Sequence, residues 1–414
     1  MTFAEERRSA AVKQASMILR RDFIGALAAA GLLPAATGIA GTASGSRAPE
    51  PLERTLVLSG GGARGAYEAG VVCALAAAAG VPDGQPLPRY AAVCGTSIGA
   101  LNGWAIATGQ YRKLRELWYG ISGENILRLK PEYAALEDPE SGVLNRFASA
   151  IGLLALTKNE PAVLQSKPIF DWLARNVDPE IPVLVPLAWA VTNLTTQRPE
   201  YFYLMPLASP QVMHERVETA MMLTLGPHTV VRRATPELLQ RALFASAAIP
   251  LAFDPVALPS VDGSINQYVD GGVASNSPVA IAHAVSKAAD VVLLDPPFES
   301  EGSLDDAIGV AMGAFGTMQR KILEVEMRNV YFQSRAKRAF ERIGPNALGE
   351  DADLLRRFLE SVPATDLAYI RPKAVLPLGV GSFDDEVGIG KAFRIGWEDA
   401  AGGFTAYTWE TFEL

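Results

Sequence analysis

Histidine is nearly missing from this chain: His214, His228 and His283 are the only three in 414 residues. That scarcity narrows the catalytic devices open to it, because a serine or cysteine nucleophile is most often activated by an imidazole. Cysteine is scarcer still. Cys73 and Cys94 alone cannot build a disulfide framework or a cysteine cage for a metal, and each reads as a small buried apolar residue. There is no long basic run and the formal net charge is −8, so nothing points to nucleic acid, and any membrane contact is expected to be apolar rather than polybasic. No internal repeat occurs. What remains is an ordinary globular composition, 49% hydrophobic and 20% charged, enough to bury a sizeable core.

The N-terminal stretch stands apart. Arg20-Arg21-Asp22-Phe23-Ile24 follows a long polar section and precedes an Ala/Gly-rich apolar run that ends near Thr42 and Ala43. The pattern resembles a twin-arginine export signal, and the small residues Gly41 and Ala43 suit cleavage nearby. Two other readings compete, an uncleaved membrane anchor of about minimum spanning length and a tail on a cytoplasmic protein. Pro34 and the many alanines and glycines argue against a stable spanning helix. Residues 1–50 are therefore expected to be signal and linker, with 51–414 forming a single domain.

Within that domain strands and helices alternate. Arg54–Leu58 is a short β-prone run, followed by the glycine loop Ser59-Gly-Gly-Gly-Ala-Arg-Gly65 and an alanine-rich helix over Ala66–Ala79. Tyr90–Cys94 forms the next strand, and a helix over Ile98–Thr108 follows it. Such alternation implies a mostly parallel sheet covered on both faces, a three-layer α/β/α sandwich. The stretch 110–187 reads as a helical insertion, and sheet character returns at Leu187–Thr192 and Tyr201–Leu204, separated by a polar turn at Gln197–Glu200. Thr235 and Pro236 open a helix that ends before Pro250, and Gln267–Asp270 is a strand end. A helix over Val279–Ala288 leads to the strand Asp290–Leu294, so the core spans 54–295. A C-terminal extension over about 303–414 carries one long amphipathic helix or two joined ones to Ile343, a strand over Lys373–Leu378 and a helix over Gly390–Ala400.

Gly95-Thr96-Ser97-Ile98-Gly99 puts a serine between two glycines at a strand-to-helix turn, the arrangement that projects a nucleophilic oxygen out of a sheet. A base for Ser97 is the next requirement. His283 lies within an apolar helix and His228 in a loop, so a Ser-His-Asp triad through His283 is formally open but lacks context. Asp270 offers a carboxylate instead. It ends a strand, precedes Gly271 and Gly272, and is expected at the same edge of a parallel sheet as Ser97. An Asp-Gly pair is also a common turn, and Asp262-Gly263 is read as no more than that. For an oxyanion, Gly60, Gly61 and Gly62 supply bare backbone N–H groups at a helix start, while Arg64 would steady this loop or add positive charge. The loop has neither the spacing of a dinucleotide fingerprint nor a P-loop lysine.

Gly60-Gly-Gly-Ala-Arg-Gly65, Gly95-Thr-Ser-Ile-Gly99 and Asp270-Gly-Gly272 resemble, in order, the three blocks of the patatin-like phospholipases. Ala245-Ser-Ala-Ala-Ile-Pro250 and Asn276-Ser-Pro278 are similar to further stretches of that family, so the resemblance covers about Thr55 to Leu294. It implies a lipid acyl hydrolase with a Ser97–Asp270 dyad, an oxyanion hole at Gly60, Gly61 and Gly62, and an acyl-enzyme intermediate. No metal or other cofactor is implied; the expected partner is a lipid or other acyl ester, met through transient membrane-surface contact. Asp270 would need partial desolvation to act near neutral pH. A non-catalytic lipid-binding module on the same fold is the alternative. The export reading makes its own prediction: the protein should fractionate outside the cytoplasm in a processed form. Replacing Arg20 and Arg21 by lysine should hold it inside, and an unprocessed cytoplasmic protein indifferent to that change would refute the reading.

Overall fold

The structure, a computed structural model, describes residues 51–136, 161–225, 229–295, 307–343, 363–410 and 412. The expected signal and linker, His228, the 137–160 part of the insertion and the first residues of the extension lie outside these. The strands are β1 (Thr55–Leu58), β2 (Ala92–Thr96), β3 (Leu187–Asn193), β4 (Arg198–Leu204), β5 (Val230–Arg233), β6 (Val256–Pro259), β7 (Ile265–Asp270), β8 (Ala288–Val292), β9 (Asp366–Ile370) and β10 (Thr405–Ala406). The helices are α1 (Gly65–Ala78), α2 (Ile98–Ala107), α3 (Tyr111–Gly120), α4 (Gly123–Ile126), α5 (Lys167–Asn176), α6 (Gln211–Leu225), α7 (Pro236–Ala247), α8 (Val279–Val285), α9 (Ala307–Ile343) and α10 (Glu386–Ala400).

One sheet runs in the order β10-β9-β8-β1-β2-β3-β4-β5. Its centre, β9 through β3, is parallel, and β3 with β4 is the antiparallel hairpin on the expected turn. A second hairpin, β6 with β7, docks antiparallel on β3. Neighbouring residues of each central strand serve opposite faces, as the pleat requires. Leu56, Leu58, Val93, Trp189 and Val292 join one buried cluster with α1, α2, α3, α5, α7 and α10. Val57, Cys94, Ala188, Ala190 and Val291 join the other with α6, α8 and α9. Both faces are apolar, so these strands read as continuous hydrophobic runs.

Several expectations need correction. No strand forms over Lys373–Leu378: Pro372 and Pro377 remove amide donors a ladder would use, Leu376 and Leu378 are buried by packing, and the strand of this region is β9. The helix expected over Val279–Ala288 stops at Val285, and Ala288 already belongs to β8. The expectations had no counterpart for β5, β6 and α6. The long C-terminal helix is continuous over its described length, from Ala307 to Ile343. Among the described residues no helix is long and apolar enough to cross a membrane.

Helix α10 crosses α1 at backbone contact. A Cβ on Gly70 would lie 2.0 Å from Phe393 O, and one on Gly396 would lie 2.0 Å from Tyr67 O. Backbone cannot yield as a side chain does, so Gly70→Ala or Gly396→Ala should lower the unfolding free energy by about 1–3 kcal/mol in denaturant melts. Gly120→Ala, which meets nothing within 4 Å, should change it by less than about 0.5 kcal/mol. Equal stability of all three variants would refute this account of the α1–α10 contact.

Candidate active site

Strand β2 is buried along its whole length and ends at Thr96, opposite Ala190 of β3. The chain then turns at Ser97, with φ 55 and ψ −126, and α2 starts at Ile98. Positive φ is strained for a serine and persists only where the surroundings enforce it. Two glycines permit the turn: a Cβ on Gly95 would sit 2.2 Å from Gly99 O, and one on Gly99 would sit 2.7 Å from Leu58 O. A third residue holds it. The Ser97 N–H donates to Ser246 Oγ at 2.9 Å, and Ser246 Oγ donates onward to Ala190 O at 2.7 Å.

Asp270 reaches the serine from the opposite direction. The expectation of a shared parallel edge fails, because β7 runs antiparallel to β3 and pairs Asp270 with Val191. Strand β2 occupies the flank of β3 up to Ala190, and β7 takes over that flank at Val191. The two strands therefore abut end to end, and Ser97 and Asp270 meet at the junction. Thr192 Oγ1 donates to Asp270 O at 3.0 Å and Thr96 Oγ1 to Ser275 O at 2.8 Å, fastening both ends. Gly271 must be glycine here, since a Cβ would lie 2.3 Å from Ala190 O.

Asp270 is 3% exposed. Its Oδ1 accepts from Gly272 N–H at 2.6 Å, while Oδ2 is buried without a formed hydrogen bond. Burial pushes its pKa from the ordinary 3.8 up to about 7, against smaller downward pulls from the Ser97 hydroxyl and the Gly272 N–H. The serine contact thus acts electrostatically but is looser than a formed hydrogen bond, as is common before substrate arrives.

Gly60 lies against the serine: its Cβ would fall 3.2 Å from Ser97 Cβ. Its N–H, however, is spent on Asn276 O at 2.8 Å, and its carbonyl accepts from Asn276 Nδ2 at 3.3 Å. Gly60 therefore does not fit the expected donor role. The N–H groups of Gly61 and Gly62 donate to no described residue. Gly62 adopts φ 57, and a Cβ there would lie 2.0 Å from Val380 O. Arg64 steadies the loop rather than facing the serine, with Nη1 on Asp295 Oδ1 at 2.5 Å and Nε on Gly61 O at 3.4 Å.

His283 has both ring nitrogens engaged elsewhere, with Thr365 Oγ1 and Gln333 Oε1 at 3.0 Å each, and burial lowers its pKa to about 4. His214 sits in α6 beside the Tyr203 ring. Neither touches Ser97. The sequence reading missed Ser246 and gave Asn276 no role, although both lie in stretches it had marked; nothing in the local pattern said which side chain would face the serine loop. It also missed Gln319 of α9, whose Nε2 donates to Asn276 Oδ1 at 3.3 Å, and Val380, whose carbonyl accepts from Ala63 N–H at 2.9 Å.

The buried aspartate has a testable cost. Its folded pKa is raised, so the fold holds the proton more tightly than the unfolded chain does, and stability falls as pH rises from about 4 to about 7. Asp270→Asn removes that loss. The variant should match wild type near pH 4 and gain on it up to pH 7, by at most about 4 kcal/mol, in urea melts across that range. A pH-independent difference would refute the desolvation account.

Residues 56–283 match the family model described as patatin-like phospholipase. Among solved structures, the crystal structure of VipD from Legionella pneumophila is similar, at 15% identity and a TM-score of 0.34, over 88% of this chain and 71% of that one. No curated protein matches the chain.

Proposed function

The chain belongs to the patatin-like phospholipase family and so to the lipid acyl hydrolases, and from that premise we propose that it cleaves fatty-acyl esters through a Ser97–Asp270 dyad. Ser97 Oγ attacks the ester carbonyl as its proton passes to Asp270. The oxyanion of the tetrahedral intermediate takes hydrogen bonds from Gly61 and Gly62 N–H, groups that need no reorganisation because the loop is already braced by Asn276, Arg64 and Val380. Collapse of the intermediate expels the alcohol, which leaves with the proton from Asp270, and an acyl-enzyme remains. Water then attacks with Asp270 again as base, and the fatty acid departs.

The observation that supports this reading best is the buried Asp270 carboxyl beside a serine on a strained turn, with its pKa raised to about 7. A carboxylate at its ordinary pKa is a weak base near neutrality, whereas one near 7 is matched to the task. A non-catalytic lipid-binding module would have no use for either the strain or the desolvated charge. The engagement of His283 with Thr365 and Gln333 speaks against a histidine triad. The substrate is a membrane or storage lipid met at a surface, and the twin-arginine-like segment at Arg20 and Arg21 directs the enzyme out of the cytoplasm.

Ser97→Ala, Asp270→Ala and His283→Ala, each assayed on a water-soluble chromogenic ester, test the assignment. The first two should lose about a thousandfold or more in kcat, and the third should keep activity wherever it folds. Wild-type kcat/KM should rise with pH through an apparent pKa near 7. Full activity in the Asp270 variant would sink the dyad, and loss confined to a well-folded His283 variant would restore the triad.

A further inference from the structure

We propose that Glu68 is a positioning residue that fixes the glycine loop relative to the Ser97 hydroxyl, by tying the residue before that loop to the helix that follows the serine. The proposal rests on the reading of Ser97 as nucleophile given above. Glu68 lies on α1, the helix the glycine loop opens into, and is fully buried. Its Oε1 accepts the N–H of Ser59, which stands between β1 and Gly60, at 2.6 Å. Its Oε2 accepts from Asn102 Nδ2 at 3.0 Å, and Asn102 belongs to α2, which starts directly after Ser97.

The rest of the contact set leaves Asn102 one orientation. Trp118 Nε1 donates to Asn102 Oδ1 at 2.9 Å, so the amide nitrogen must face Glu68, and that nitrogen also donates to Gly65 O at 3.0 Å. The loop is closed on the other side by direct contact: a Cβ on Gly99 would lie 2.8 Å from Ser59 O. Ser59, Glu68, Asn102 and Gly99 thus form a ring joining the two parts of the site that must keep a fixed separation, the oxyanion donors and the nucleophile.

A buried carboxyl is an expensive way to fill that space. Burial pushes its pKa up to about 8, against pulls from Asn102 and the Ser59 N–H, and an apolar side chain of similar volume would be tolerated at least as well for stability. What an apolar residue lacks is two acceptor oxygens at a fixed spacing, able to hold N–H groups from separate elements. Displacement of catalytic groups by about 1 Å costs on the order of a hundredfold in rate, which makes such a brace consequential.

Glu68→Gln keeps the shape and one acceptor. Its NH2 group must face either the Ser59 N–H or the Asn102 NH2, donor against donor in both cases, and Asn102 cannot flip to relieve this without setting donor against donor at Trp118. The test compares this variant with wild type on a water-soluble chromogenic ester and on a trifluoromethyl ketone, which adds to a serine oxygen and presents a tetrahedral oxyanion. The variant should keep a cooperative melt and a near-native KM. Its kcat should fall about 10- to 100-fold, and ketone affinity should weaken by the same factor as kcat/KM. Wild-type kcat and ketone affinity would overturn the proposal, and so would a fall in kcat with ketone affinity unchanged. If Glu68→Gln does not fold, Asn102→Ser removes the tie while leaving Glu68 on Ser59. It should show the same parallel loss, and wild-type values there would overturn the proposal equally. Failure of the underlying reading looks different: Ser97→Ala would then hydrolyse the ester at the wild-type rate.

Discussion

The flank of β3 is the constraint on which the site depends. Strand β2 pairs with it as far as Ala190 and β7 continues from Val191, so two segments far apart in the chain are stopped against each other by one hydrogen-bonding edge. A parallel strand and an antiparallel one approach this point from opposite ends, which lets the residue after one and the last residue of the other face each other. Ser246 and Thr192 fasten the junction from either side, through the Ser97 N–H and the Asp270 carbonyl. A shift of one residue in either register would turn the side chains to the opposite face of the sheet, and the pair would be lost rather than loosened.

Two local costs are collected at this junction. Ser97 holds a backbone conformation worth about 1–3 kcal/mol of strain, and Asp270 keeps a carboxyl out of water with one oxygen unpartnered. These costs are sustained by what lies around them: two apolar layers packed on opposite faces of a mostly parallel sheet, and glycines at 95, 99 and 271 where any side chain would strike backbone. The C-terminal region takes part in the same support, since Val380 O holds the glycine loop and Gln319 holds Asn276. Neither residue falls within the span matched by the family model.

Much of this was legible from local pattern. Glycines bracketing Ser97 and the apolar runs of β1, β2, β3 and β8 are short-range patterns, and together with the scarcity of histidine they pointed to the central strands and to Ser97 and Asp270, which the structure sets beside each other. Direction and contact were less accessible. Nothing within Gln267–Asp270 says that its strand runs antiparallel, because the sense of a strand is set by what its ends connect to and which edge is left open. The glycine loop offered three equivalent amides, and only the fold reveals that Gly60 is committed to Asn276. Lys373–Leu378 has strand-like residues, yet the prolines beside and within it decide otherwise. Short strands such as β5, whose Arg232 and Arg233 mask an edge, carry too little pattern to be read alone.

Three buried carboxyls flank the junction, and their surroundings divide the work among them. Glu68 has both oxygens engaged by N–H donors from separate elements, so it holds position and has no hydroxyl among these partners whose proton it could take. Glu326 of α9 accepts from Ser275 Oγ at 2.8 Å and is pushed up to about 8 by burial, which ties α9 to the loop after Asp270 and sets it behind that loop. Asp270 and Glu326 each have one oxygen that accepts a hydrogen bond and one without a partner, and each has a serine hydroxyl that lowers its pKa; they differ in which serine that is. Desolvation raises all three, so burial by itself does not select a base. The serine makes the difference: Ser275 is 1% exposed and already donates its hydroxyl to Glu326, whereas Ser97 stands on a strained turn against the glycine loop, so Asp270 is the carboxyl placed to take the proton of a hydroxyl that can meet an ester.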